Sequence, residues 1–453
     1  VVKTKSLAGK RIAVIGAGWA GCAAAVELSS RGAQVSLLEA ARTLGGRARK
    51  VAVKQHTLDN GQHILLGAYS ATLALMHKLG IQMDQAFLRL PLQMVYPSID
   101  EGMEFIAPKL PAPLHLLVAL LRAKGLSRPD KMALARFSST ARWMDWQLNQ
   151  DCSVSELLER FDQTPRLCQL MWVPLCIAAL NTPPERASAQ VFLNVLRDSL
   201  GARRTASDML IPRQDLSALF PEQAQQFIQR AGGIVKSGIS VKRLIPDRQN
   251  GFNTWHLECH VDDAISTQEF DAIIIATGAE QASRLLNDMV AAQKAAPLPS
   301  FEYESITTCY LQYPPSVHLR RPFFALRDQP EQGHWGQFVF DRGQLNPDQA
   351  GLLAVVVSAS HQATDLGNEA LAKALALQLA AMFEMPELAQ PVWQQIISEK
   401  RATFSCTPSL QRPDNQLGLE NCFIAGDYTR CDYPATLEAA IRSGIAAATL
   451  CLS

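Results

Sequence analysis

Residues 11–39 limit what this chain can fold into more than any other stretch. Arg11 to Ile15 (RIAVI) is a short, continuously apolar run, the pattern of a parallel strand buried on both faces. It leads directly into Gly16-Ala17-Gly18-Trp19-Ala20-Gly21 and then into Cys22 to Leu28, a segment rich in good helix formers. Gly32 stands where a left-handed residue ends a helix, and Gln34 to Leu38 reads as a second strand that delivers Glu39. Each part has a physical reason. Gly16 permits a tight turn, Gly18 leaves the backbone open to a pyrophosphate, and Gly21 lets the helix pack close to the strand. The amino end of the helix then turns unpaired N–H groups and its positive dipole end toward the phosphates. Glu39 is placed to accept hydrogen bonds from ribose hydroxyls, and its charge would repel a 2′-phosphate, which argues against NADP here. The spacing predicts an α/β fold with a Rossmann-like dinucleotide site.

The residues after Glu39 narrow the nucleotide. Glu39, five residues, then Gly45-Gly46-Arg47 resembles the extended fingerprint of the flavoprotein superfamily of amine oxidases and carotenoid desaturases. Two glycines allow close backbone approach, and an arginine supplies a planar donor fork against phosphate charge. The resemblance implies FAD, with Arg42, Gly45, Gly46 and Arg47 among its contacts. Later segments recur in the same order. Gly232-Gly233-Ile234-Val235 and then Val241 look like the family's strand pair at adenine. Phe270 to Gly278 (FDAIIIATG) reads as an apolar strand ending at the cofactor. Near the end, Cys422 to Asp427 is a strand followed by Gly426-Asp427, and Pro434 to Ala440 opens a last helix. The resemblance puts Gly426 and Asp427 at the pyrophosphate–ribitol region. It puts Thr436 and Leu437, at the positive end of that helix, by the flavin's pyrimidine edge.

A second resemblance is narrower. HTLDNGQHILLGAY (His56 to Tyr69), GGRARK and AGDYTRCDYPATLEAAIRSG are similar to the hydroxysqualene dehydroxylase family, the squalene-associated FAD enzymes of bacterial hopanoid pathways. Cys431, Asp432 and Tyr433 depart from what that family leads one to expect. The resemblance implies a discontinuous FAD-binding domain (8–75, 205–300 and 400–453) with an inserted α+β substrate domain (76–204 and 301–399), of amine oxidase or phytoene desaturase type. It also implies reductive removal of the hydroxyl of hydroxysqualene to give squalene, so the substrate is a C30 polyprenyl molecule. The segment after the Gly-Gly-Arg loop should return to the flavin with Gly61 and Gln62 beside the ring. His63 is then the first candidate for the acid that protonates the leaving hydroxyl, and Asp59 the second. No second nucleotide fingerprint is present, so the electron donor stays open. Two other functions fit the same frame: an oxidase of the carotenoid desaturase or amine oxidase kind, and a prenyl-binding chaperone like the GDP-dissociation inhibitors.

Composition sets the outer bounds. The 453 residues carry 43 basic and 42 acidic side chains for a net charge of +1, which leaves no field to attract nucleic acid. The ten cysteines are scattered without a CxxC pair, so reduced structural thiols, and no metal site, are expected. With a polar, basic Val1 to Lys10 and no following leader-like apolar region, this points to a cytoplasmic protein. Residues 108–136 join a short apolar run, Pro108 to Leu121, to Arg122, Lys124, Arg128, Lys131 and Arg136. Such a segment is either a core helix with a solvated basic face or a peripheral contact with the inner face of an anionic membrane. Trp143, Trp146, Trp172, Met144 and Met171, at helical spacing, are expected in the core rather than along a hydrocarbon channel.

Overall fold

The computed structural model describes residues 9–54, 56–249, 252–261 and 264–452. Residues 1–8, most of the segment that argues against a leader, lie outside the described residues, as do the outermost positions, 8 and 453, of the predicted cofactor unit. The fold is mixed α/β, built on a five-stranded parallel sheet of Rossmann type. Its order is Ile234–Ser237, Gln34–Glu39, Arg11–Ile15, Ala272–Ile275 and Cys422–Ile424.

Alternation along the first strand explains why both faces of this sheet are covered. Ile12 and Val14 enter the core shared with the helices Trp19–Ser29 and Leu437–Leu450. Ala13 and Ile15 enter the opposite core, shared with an antiparallel meander of Ser240–Gln249, Phe252–Val261 and Ala264–Phe270. The apolar run at 270–278 makes a shorter strand than its hydropathy predicts. Phe270 belongs to the meander, paired with Trp255, and only Ala272–Ile275 joins the parallel sheet. Ile234–Ser237 joins that sheet beside Gln34–Glu39, while Val241 begins the meander.

A second, antiparallel sheet forms the far wall. Its order is Phe323–Ala325, Phe338–Asp341, Leu352–Ser358, Tyr303–Gln312 and Trp393–Phe404, and Asn368–Phe383 packs against it. A further group of helices lies between Leu114 and Leu196. Trp146, Trp172 and Met171 are core, as their spacing predicts, but Trp143 is 87 % exposed. The basic-flanked apolar run shortens to a helix at Leu114–Arg122. Pro111 and Pro113 precede it and do not enter it. Among the described residues, no helix is long and apolar enough to cross a membrane.

The first and last helices meet backbone to backbone. Gly444 is buried, and a Cβ there would stand 2.1 Å from the Ala20 carbonyl oxygen. Gly444→Ala should therefore push the two helices apart and destabilise the chain by roughly 1–3 kcal/mol through overpacking, read as a lower midpoint in urea denaturation.

Candidate cofactor-binding and active site

Three backbone segments converge at the amino end of the first helix. Gly16 has φ +102°, and a Cβ on it would lie 2.7 Å from the Ala276 carbonyl oxygen. A Cβ on Gly21 would lie 1.9 Å from the Gly16 carbonyl oxygen. The Gly-Gly loop folds over the same point: the Gly45 N–H donates to the Ala17 carbonyl at 2.8 Å, with φ +115° at Gly45 and +62° at Gly46. Gly18 differs from these. Only the Gly46 Cα comes within 4 Å of where its Cβ would be, at 3.9 Å, and Gly18 lines a cleft of about 770 Å³. No side chain caps the first helix at Gly18, and its first turn holds no acid. Unpaired N–H groups and the positive dipole end thus face the cleft, as an anionic diphosphate requires.

The rest of the cleft suits the two halves of a dinucleotide. Glu39 lines it with its carboxylate fixed by two backbone donors, Ala17 N–H at 2.6 Å and Ala41 N–H at 2.8 Å. Val241 and Gly278 line the wall from the meander and from the start of the helix Ala279–Ala291. At the other end, Gly426 and Asp427 follow the strand Cys422–Ile424, and Thr436 and Leu437 open the carboxy-terminal helix. Thr436 caps that helix by accepting from the Ala439 N–H at 3.1 Å. Arg47 is already paired: it donates to Asp427 Oδ1 at 2.7 Å and to the Ala402 carbonyl at 2.7 Å. Its charge is balanced within the protein, so it acts as a bridge between the Gly-Gly loop and the last cofactor motif.

Gly61, Gln62 and His63 come to the same cleft. His63 Nδ1–H donates to the Gly61 carbonyl at 2.9 Å, which leaves Nε2 as an acceptor. Burial, reinforced by the Arg47 charge, holds the imidazole below its ordinary pKa, so the neutral ring prevails at pH 7. A proton on Nε2 is favoured only as the pH falls below the ordinary imidazole range. Gln62 is locked from behind. It donates to the Tyr310 hydroxyl at 3.0 Å, which donates to the Asp59 carbonyl at 2.9 Å. Arg342, 4 % exposed, donates to Gln62 Oε1 at 3.1 Å and to Gln349 Oε1 at 2.8 Å.

Three predicted residues lie outside the cleft lining. Gly21 sits behind it, where its role is helix–strand contact. Arg42 is exposed beside it. Asp59 is buried away from the cleft lining, with its carboxylate accepting from the Leu216 N–H at 2.8 Å. Burial raises its pKa to about 6 against the opposing charge of Arg342. The motifs did not reveal Tyr310, Arg342 or Tyr428. Tyr428 lines the cleft, and its buried hydroxyl has no hydrogen-bond partner among the described residues. Its place directly after Gly426-Asp427 is the one signal that could have pointed to it. Burial, and then the neighbouring Asp427, raise its pKa, so the phenol stays protonated. The unexpected Cys431-Asp432-Tyr433 segment is well anchored: Tyr433 bonds Asp198, and Asn194 donates to the Asp432 carbonyl at 3.0 Å.

Fold and cleft together define an FAD-dependent oxidoreductase, and residues 19–452 match the family described as flavin containing amine oxidoreductase, to which this chain belongs. Among individual proteins, it is 28 % identical to a hydroxysqualene dehydroxylase of Rhodopseudomonas palustris, covering 98 % of this chain and 99 % of that one. The zeta-carotene desaturase of Solanum lycopersicum is 23 % identical over 96 % of this chain and 79 % of its own. In fold, the chain is similar to an oxidoreductase from Methanosarcina mazei, with TM-score 0.68 and 15 % identity over 96 % of this chain and 99 % of that one. Cyclohexylamine oxidase from Brevibacterium oxydans gives TM-score 0.63 and 16 % identity over 98 % of both chains. Membership in a flavoenzyme family sets the chaperone alternative aside.

Two measurements test this site. Gly18→Val, at an ordinary φ of −69°, leaves the backbone unstrained but projects into the diphosphate position. The purified variant should fold normally and lose the flavin absorbance of the wild type. Asp59 binds its proton more tightly folded than unfolded, so its contribution to stability should fall as pH rises from about 4 to about 6. Asp59→Asn should remove that part of the slope in urea denaturation.

Proposed function

We propose that the chain catalyses the reductive dehydroxylation of hydroxysqualene to squalene, in squalene and hopanoid biosynthesis. The observation that carries this reading is one continuous cleft. Its glycine cradle and its His63–Gln62 end share space with apolar Ile64, Ala178, Ala179, Ile306 and Phe404. Relatives of that printed name, similar over nearly the whole chain, support it. We read residues 8–75, 205–300 and 400–453 as the cofactor unit and the intervening segments as the substrate side.

When bound, reduced FAD supplies the hydride that replaces the hydroxyl on the allylic carbon, and one proton completes the departing water. The chain supplies the surroundings for that exchange. The uncapped first helix, Glu39 and the Gly-Gly loop would hold the nucleotide. Gln62, fixed by Tyr310 and Arg342, keeps its segment rigid beside the reacting carbon. When neutral, His63 Nε2 accepts a hydrogen bond from the substrate's hydroxyl; once it has taken a proton from solvent at lower pH, it donates that proton to the leaving oxygen, which departs as water. Tyr428, always protonated and unpartnered, is a second donor in the same cleft. The apolar end excludes water from the developing cation. A water-insoluble C30 substrate has to come from a lipid phase, and contact through residues 108–136 serves that need.

Anaerobic incubation of the flavin-reduced enzyme with hydroxysqualene should yield squalene, identified by mass. A more unsaturated product from an oxidised-flavin incubation with a saturated precursor would instead favour the desaturase direction. With His63 as the proton carrier, turnover should rise as pH falls through a value below the ordinary 6.5 of imidazole. His63→Gln should retain flavin, lose that limb and slow turnover by about a hundredfold. An unchanged pH profile in this variant removes His63 from the chemistry.

A further inference from the structure

The helix Leu114–Arg122 turns one apolar face outward. Leu114, Leu117 and Leu121 recur at i, i+3 and i+7 and are 50, 52 and 66 % exposed, while His115 and Ala119 face the core. The next helix, Arg128–Trp143, adds Met132 and Trp143, 62 and 87 % exposed. These two are eleven residues apart and fall within about 20° of one line along the helix. Lys131 links the two helices by donating from Nζ to the Leu121 carbonyl at 2.9 Å. Large side chains this exposed are costly to leave in water, and here five of them lie on two consecutive, tethered helices.

Along these two helices the charges are one-sided, with one exposed acid, Asp145, just past Trp143. Between Lys109 and Arg142 the chain carries Lys109, Arg122, Lys124, Arg128, Lys131, Arg136 and Arg142 against a single acid, Asp130. Asp130 is buried, consumed in the capping box with Ser127. Lys124 is matched by Glu104 at 3.0 Å. Exposed leucines, a methionine and a tryptophan within a cationic surround, on a chain that is almost neutral overall, complement an anionic lipid surface.

We propose that these two helices form a membrane-docking face. Leu114, Leu117, Leu121, Met132 and Trp143 enter the interface of an anionic bilayer while the surrounding arginines and lysines hold its phosphates. The face reaches beyond the basic-flanked run to Trp143, the most exposed of the five. Its purpose rests on the hydrocarbon-substrate reading, but its geometry does not.

The test is flotation of the FAD-loaded protein with phosphatidylcholine vesicles, with and without phosphatidylglycerol, at low and high salt. The wild type should float with the anionic vesicles, and high salt or pure phosphatidylcholine should reduce the bound fraction by about tenfold or more. Leu117→Glu combined with Leu121→Glu, at exposed positions, should stay folded by circular dichroism and lose flotation. Brominated lipid should quench tryptophan emission in the wild type and less so in Trp143→Phe. The proposal is overturned if the wild type stays unbound on anionic vesicles at low salt, if the double variant floats equally well, or if Trp143→Phe is quenched like the wild type. It is also overturned if the wild type is a dimer that the double variant dissolves without any vesicle binding, which would make the face a contact between copies. A protein that floats yet forms no squalene would refute the substrate reading and leave the docking face standing.

Discussion

The whole cofactor end of the molecule depends on backbone passing against backbone at the amino end of the first helix. Gly16 touches Ala276 and Gly21 touches Gly16 at distances that leave no room for a Cβ, and Gly46 passes close over Gly18. These contacts bring the first strand, the Gly-Gly loop and the strand Ala272–Ile275 to one point. They also leave an open position at Gly18, through which a ligand can reach unpaired N–H groups. Close packing and ligand access are thus opposite uses of the same residue type within six positions.

Behind the His63 end of the cleft, polar groups hold one another. Arg342, Gln62, Tyr310 and the Asp59 carbonyl form a buried chain of hydrogen bonds, and the Asp59 carboxylate is spent on Leu216. A buried guanidinium without such partners would be strongly destabilising. The arrangement fixes the LDNGQH segment from the antiparallel sheet, so the second layer of the protein sets the position of groups that belong by sequence to the first. Arg47 and Asp427 do the same across the cofactor end.

Legibility followed the range of the interactions. The strand–turn–helix at 11–39 could be read because each of its requirements is local: a β-branched run, glycines at fixed offsets, helix formers, then an acid. Fifteen of the candidate site residues, from Gly16 to Leu437, do line one cleft. Asp59 ranks behind His63 in the sequence because a turn aspartate tends to satisfy backbone donors, and it does accept one, but that donor is Leu216, 157 positions away, which no local pattern could name. His63 itself is legible, but its lowered pKa depends on burial and on its nearness to Arg47, and neither follows from a local pattern. Tyr310 and Arg342 come from strands and turns chosen for sheet packing, and nothing nearby in sequence marks them. Trp143 was misjudged because helical spacing gives a face without saying what, if anything, covers it.

The parallel sheet has a consequence for how the protein is made. Its middle strands come from residues 11–39 and 272–275, and its edge at Cys422–Ile424 arrives with the helix whose Gly444 seats on Ala20. During synthesis the first helix is exposed long before its partner leaves the ribosome. The apolar flank of Trp19–Ser29 must wait, uncovered, through some four hundred residues of translation. That closure joins segments some four hundred residues apart, a slow and highly non-local step. A nascent chain is therefore a natural client for chaperones, and the nucleotide can be captured firmly only once the last helix has docked.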